Sequence, residues 1–69
     1  MKTTINGHIV DYEEGLEEGI RYLRFRINYQ EAKVFFDEAY NHGSAVFQDH
    51  AGYRFKLVHE DAQYRLIKA

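Results

Sequence analysis

One capped amphipathic helix near the middle of the chain limits what this sequence can fold into. Its apolar side chains recur with helical period and form a stripe along one face: Ala32, Phe35, Phe36, Ala39 and Tyr40. Asn28 stands three residues before Glu31, a capping-box spacing that makes Tyr29 the first helical residue. Gly43 can take the left-handed conformation that ends a helix. Because the stripe must be buried, the rest of the chain has to provide a surface that covers it.

The segments before and after this helix have the alternating pattern of β-strands. Asn6-Gly7 separates the runs Lys2–Ile5 and His8–Tyr12 and predicts a two-residue type I′ hairpin, because both central residues must take positive φ. An unbroken strand through Gly7 is the alternative. After the helix, three alternating segments with short connections predict an antiparallel meander, over residues 45–49, 53–59 and 64–68.

The segment between the hairpin and the helix is predicted as one more strand. Leu23, Phe25 and Ile27 alternate with three polar side chains, which favours a strand over residues 20–27. Residues 13–19 hold four Glu and two Gly and are typical of a solvated loop or a frayed helical turn. We therefore expect one α+β domain over residues 1–69, with one helix on a mostly antiparallel sheet. The expected order is β-hairpin, strand, helix and three-stranded meander, and the order of strands in the sheet stays open.

Small size and apolar doublets together predict a homodimer. A domain of 69 residues buries only about 60% of the surface that its unfolded chain exposes, and the absence of Cys excludes disulfides. Leu57-Val58 and Leu66-Ile67 each place an apolar side chain on both faces of a strand, whereas one helix covers only one face. We expect Val58 and Ile67 to lie in a dimer interface. The alternatives are curled strands or an acidic loop folded over them.

Basic and aromatic side chains define a second candidate surface. If the helix covers one face of the sheet, the polar face presents a mixed set: Tyr22, Arg24, Arg26, Arg54 and Lys56. Cations beside an aromatic ring suit single-stranded nucleic acid. Exposed cations also serve solubility and edge protection, and the five acidic residues of positions 11–18 are placed to neutralise them. The net charge of −2 gives no general attraction to polyanions.

The residues that carry chemistry form no coherent catalytic set. His50 follows Asp49 and His59 precedes Glu60, which suggests a small hydrolase as a third hypothesis, but neighbours in a strand point to opposite faces. The histidine spacing matches no zinc site, and the acidic segment lacks the ligand positions of a calcium loop. No glycine-rich phosphate loop occurs. We expect no metal, no cofactor and no enzymatic activity.

These observations favour a non-enzymatic protein-interaction module that acts as a homodimer and takes further protein partners. Association with single-stranded nucleic acid is the alternative. No apolar run approaches the roughly 20 residues that span a bilayer, and the N-terminal residues lack a signal-like apolar stretch. The sequence predicts a cytoplasmic protein without a membrane partner.

Overall fold

A five-stranded sheet with all helices on one side forms the protein. The computed structural model describes residues 1–69, and its elements are β1 (Lys2–Ile5), β2 (His8–Tyr12), α1 (Glu17–Arg21), a π-helical turn (Tyr22–Arg26), α2 (Tyr29–His42), β3 (Ser44–Gln48), β4 (Arg54–Glu60) and β5 (Gln63–Lys68). The strand order is β1-β2-β5-β4-β3, and only β2 and β5 pair in parallel. The expected α+β class with a mostly antiparallel sheet is confirmed.

The central helix α2 begins and ends where the sequence predicts. The Asn28 side chain accepts a hydrogen bond from the Glu31 N–H at 2.8 Å, and the Glu31 carboxylate accepts one from the Asn28 N–H at 3.0 Å. Gly43 has φ 92°, and its N–H donates to the Ala39 carbonyl at 2.8 Å. These bonds satisfy amides and carbonyls that a helix end leaves without partners. The predicted capping box is confirmed.

The predicted hairpin and the predicted meander are both confirmed. Asn6 and Gly7 have φ of 53° and 81°, as a type I′ turn requires, and β1 pairs antiparallel with β2. β3, β4 and β5 pair antiparallel in chain order. The turn between β4 and β5 also takes positive φ at both central residues, although these are Asp61 and Ala62 rather than glycine.

The strand predicted over residues 20–27 is wrong, because this segment is helical. α1 ends at Arg21 and the chain continues as the π-helical turn, in which the Ile27 N–H donates to the Tyr22 carbonyl five residues earlier. A second apolar pattern explains the helix, since its members are spaced by four, three and four residues: Leu16, Ile20, Leu23 and Ile27. Ile20 and Leu23 are buried, whereas Phe25 is 73% exposed. The helical spacing of the apolar residues, rather than their alternation, therefore determines the structure of this segment.

A glycine lets α1 lie close to the centre of the sheet. Gly19 faces Phe55 and Leu66, and a Cβ atom placed there would stand 2.9 Å from Phe55 Cδ1 and 2.8 Å from Leu66 Cδ2. Phe55 and Leu66 are themselves buried, together with Leu57 beside them. The buried core thus lies between this sheet face and the two helices. The position tolerates no side chain without movement of its neighbours.

No helix in the structure is both long enough and apolar enough to pass through a bilayer.

Removal of the α2 N-cap is the first test of this fold. Asn28→Ala leaves the Glu31 N–H without its side-chain acceptor and should lower the free energy of unfolding by about 1 kcal/mol. Asn41→Ala, an exposed change near the other end of α2, is the matched control. Urea denaturation of both variants measures the difference. Equal stability of the two variants would contradict the role of the cap.

A side chain at Gly19 tests the close approach of α1 to the sheet. Gly19→Val should lower the free energy of unfolding by about 2–3 kcal/mol, because the added atoms overpack against Phe55 and Leu66. Glu18→Val places the same side chain on the exposed side of α1 and, even with the loss of the exposed ion pair to Arg21, should change stability by no more than about 1 kcal/mol. The measurement is again urea denaturation. An unchanged midpoint for Gly19→Val would show that α1 does not pack as described.

Candidate functional site

One face of the sheet carries apolar side chains that no other element covers. We call it the open sheet face; its apolar members are Ile9, Val46, Val58 and Ile67. Ile9 is 65% and Val46 is 44% exposed. In the register of the sheet, Val46 and Ile67 lie on either side of Lys56, and Val58 follows two residues later on the same strand. The structure therefore places Val58 and Ile67 together on the face away from the helices, and their role in a dimer stays a prediction.

Charges of both signs surround these apolar side chains. By alternation along the strands, the open sheet face carries four cations and two acids: Lys2, Arg54, Lys56, Arg65, Asp11 and Glu60. Lys2, Asp11 and Arg65 occupy neighbouring positions on three adjacent strands, so the sign of the charge alternates across the sheet. The Asp11 carboxylate also lies 3.5 Å from the amino group of Met1. The face is thus polar at its rim and apolar at its centre.

The five residues expected to share one polar sheet face lie on two sides of the molecule. Arg54 and Lys56 belong to the open sheet face, as expected. Tyr22, Arg24 and Arg26 do not, because the π-helical turn that holds them packs with the helices on the other face. The predicted continuous basic and aromatic face is therefore wrong in its geometry.

The acidic segment of residues 11–18 forms no ion pair with Arg24, Arg26, Arg54 or Lys56. Glu18 pairs with Arg21 at 2.7 Å, and the Glu17 carboxylate accepts hydrogen bonds from the Gly15 N–H. A hydrogen bond from its own backbone N–H lowers the pKa of the Glu17 carboxyl, and the bond from the Gly15 N–H lowers it further. Among the Lys and Arg side chains, only Arg21 and Lys33 form ion pairs. The other cations, on the π-helical turn as well as on the sheet, keep their charge free for other contacts.

Arg24 makes one contact with the edge strand β1 and one with the neighbouring ring of its own turn. Its guanidinium donates a hydrogen bond to Thr3 Oγ1 at 3.2 Å, and it lies 5.3 Å from the centre of the exposed Phe25 ring. The Asn6 side chain donates to the Tyr29 carbonyl at 3.1 Å nearby. These contacts tie the helical segment to the β1 side of the sheet.

A cleft of about 280 Å³ lies where β3 ends. We call it the β3-end cleft; its lining consists of Glu18, Tyr22, Arg26, Asp49, His50 and Ala51. The Tyr22 ring stacks on Phe47 of β3 at 5.6 Å and meets the His50 ring edge-on at 5.4 Å. The Asp49 carboxylate accepts hydrogen bonds from two backbone N–H groups of its own turn. Arg26 is left as a guanidinium without an acidic partner, beside aromatic rings.

The histidines considered for hydrolysis lie among aromatic rings. The His59 ring lies 4.7 Å from the Tyr64 ring and 5.0 Å from the Tyr40 ring, and the Tyr64 ring also lies 4.9 Å from the ring of His8. His50 contacts Tyr22, whereas the adjacent Asp49 is engaged by backbone amides. No group of three His, Cys, Asp or Glu side chains is placed to hold a metal ion.

Two members of the candidate surfaces, Val46 and Ile9, are not among the residues predicted from the sequence. Val46 has the signal that would have found it, since it alternates with the buried Ala45 and Phe47. Ile9 alternates in the same way with the buried Val10. The meeting of Tyr22 and Arg26 with the end of β3 has no local signal, because it depends on the helical form of residues 17–26.

Comparison with known proteins finds no matching family model, no matching curated protein and no matching solved structure.

Tyr64 provides a pH-dependent test of the aromatic cluster. Burial, with a smaller contribution from the negative charge of Asp37, raises the pKa of the Tyr64 phenol above its ordinary value. The folded protein thus holds this proton more tightly than the unfolded chain, so the stability it contributes is lost as the pH rises above about 10.

We expect Tyr64→Phe to lose less unfolding free energy than the wild type between about pH 9 and about pH 11. Tyr53→Phe, at an exposed tyrosine, is the control and should follow the wild type. Urea denaturation at each pH gives the comparison. Parallel pH profiles for wild type and Tyr64→Phe would argue against the packing of this phenol.

Proposed function

We propose that this protein is a non-enzymatic protein-interaction module that acts as a homodimer through its open sheet face. The observation that carries the proposal is the one-sided placement of the helices, which leaves Val46, Val58 and Ile67 at the centre of an uncovered sheet. Contact with another protein surface would remove these side chains from water, at about 25 cal/mol for each Å² of apolar area buried. A small domain gains more from such shared burial than a large one.

A second copy of the chain suits the charge pattern of this face. In a two-fold interface each patch meets its own copy, so a patch with one sign of charge repels itself. The open sheet face carries Asp11 and Glu60 as well as Lys56 and Arg65, and the acids and bases alternate across strands. Cations of one copy can therefore meet acids of the other around an apolar centre.

Association with single-stranded nucleic acid is the second candidate. Its support is that Arg54 and Lys56 have no acidic partner. Stacking of bases requires an aromatic platform, however, and no aromatic side chain belongs to the open sheet face. The nearest aromatic of the expected set, Tyr22, lies on the helical side and packs on Phe47. Without an aromatic platform, Arg54 and Lys56 fit the polar rim of a protein interface better than a nucleic-acid surface.

Charge placed at the centre of the open sheet face tests the homodimer. Sedimentation velocity at micromolar concentration should give twice the mass of one chain. Val58→Asp or Ile67→Asp buries an unpaired carboxylate in the interface and should raise the dissociation constant at least about tenfold, which corresponds to roughly 1.4 kcal/mol. Val34→Asp, at a valine exposed on α2, is the matched control and should leave the dimer intact.

The variants are compared by circular dichroism before sedimentation, so that loss of the dimer is not confused with unfolding. A wild-type chain that sediments as a monomer up to high micromolar concentration would refute the homodimer. A dimer that survives both Val58→Asp and Ile67→Asp would refute this face as its interface.

A further inference from the structure

The outer edge of β3 offers backbone groups that no strand pairs with. β3 lies at the end of the strand order and pairs with no strand other than β4. The Gly43 carbonyl accepts from the His59 N–H, and the Asp49 N–H donates to the Tyr53 carbonyl, so the odd-numbered positions along β3 face β4. By the alternation of an antiparallel ladder, Ser44, Val46 and Gln48 direct their N–H and C=O groups outward. Three consecutive pairing positions are thus free.

The two edges of the sheet differ in how they are protected. β1 is short, carries Lys2, and is held by the contacts of Arg24 with Thr3 and of Asn6 with the start of α2. Charges, short length and covering groups are the usual means of blocking an edge. β3 has the sequence SAVFQ, without a charge or a proline. Only the β3 edge is open to an added strand.

Aromatic side chains form a wall beside the β3 edge on the helical face. Tyr22 and Phe35 are half-buried and pack on Phe47, at 5.6 and 5.3 Å between ring centres. Phe36 points the other way, toward Tyr64. Only Gly43 joins α2 to β3, so the helix runs back along the strand. An added strand would send alternate side chains toward this wall and the others toward Val46 on the open sheet face.

The β3-end cleft holds one guanidinium, that of Arg26, at one end of this edge. The two carboxylates of the same cleft have other partners, since Glu18 pairs with Arg21 and Asp49 accepts from two backbone N–H groups. Arg26 itself forms no ion pair. A carboxylate is the natural ligand of a free guanidinium.

We infer that the β3 edge binds an extended segment of a partner protein as an added strand, with an acidic group of that segment at Arg26. The segment has alternating apolar side chains, and its carboxylate comes from Asp, Glu or a chain terminus. This inference deepens the proposed role as an interaction module by naming the kind of partner. It does not depend on the homodimer, because strand addition uses the outward backbone groups of β3, whereas the homodimer uses side chains of the open sheet face; Val46 borders both surfaces. Strand addition of this kind draws affinity from backbone bonds and specificity from alternate side chains.

The probe is a displayed library of random peptides of about eight residues, long enough to pair along all of β3. We expect enriched peptides to alternate apolar and polar residues and to carry an acidic group near one end. In NMR titrations with one synthetic enriched peptide, the amides of Ser44, Val46 and Gln48 should shift most. Val34→Asp, at an exposed valine of α2 outside both surfaces, should bind the same peptide as the wild type does.

Two matched pairs test the mechanism of binding. Val46→Pro removes an outward N–H without touching the ladder to β4 and should weaken binding at least about tenfold, whereas Val46→Thr keeps the N–H and should bind normally. Where Val46→Pro fails to fold, Gln48→Pro removes a different outward N–H in its place. Arg26→Gln should weaken binding of the acidic peptide about tenfold, whereas binding of the neutral amide analogue of that peptide should not change.

The inference is overturned if no peptide is enriched, or if enriched peptides bind Val46→Pro and the wild type equally. It is also overturned if the β3 amides respond only to the concentration of the protein, which would show that a second copy occupies this edge. A monomeric wild type that binds the peptide would refute the homodimer and retain the peptide site. A dimer that binds no peptide would refute the peptide site and retain the homodimer.

Discussion

Two helical segments and a single sheet face are all that this chain has for burying its apolar side chains. α1 and α2 both lie on the face that carries Phe55, Leu57 and Leu66. With both helices on this face, one side of the sheet is fully covered and the other side has no covering layer. The close approach at Gly19 is what allows α1 to share this face with α2. Every exposed surface with a candidate role follows from it, because the same packing that fills the core leaves the open sheet face and the β3 edge bare.

The sequence predicts those parts of the fold that depend on neighbours in the chain. α2 follows from its caps, the first hairpin from Asn6-Gly7, and the meander from short connections. Residues 20–27 satisfy two patterns at once, and alternation at Phe25 and Ile27 conceals the helical spacing of Ile20 and Leu23. Burial decides between them, since a helix leaves Phe25 in solvent and covers Ile20 and Leu23. The local sequence pattern does not show whether the sheet packs against Phe25, as a strand would require, or against Ile20 and Leu23, as a helix requires.

The candidate surfaces divide in the same way. Val58 and Ile67 could be assigned to the uncovered face because strand parity follows directly from the doublets in the sequence. The β3-end cleft could not, since it brings the π-helical turn to the end of a strand that starts many residues later. The expected polar face failed for the same reason: its Tyr22, Arg24 and Arg26 were assigned by the parity of a strand that does not form. The site residues that could be predicted are those whose position follows from their own strand, and the others depend on tertiary contacts between distant segments.

The parallel pairing of β2 with β5 also shapes how the protein comes to fold. β5 lies between β2 and β4 and therefore joins the N-terminal hairpin to the rest of the sheet, yet it is the last strand along the chain. On the ribosome, the first hairpin emerges early and has no strand to join until residues 63–68 have left the exit tunnel. Contacts between distant parts of a chain form slowly, because a long loop must close first. Until β5 is in place, the hairpin keeps exposed to water the apolar surface that the finished sheet buries.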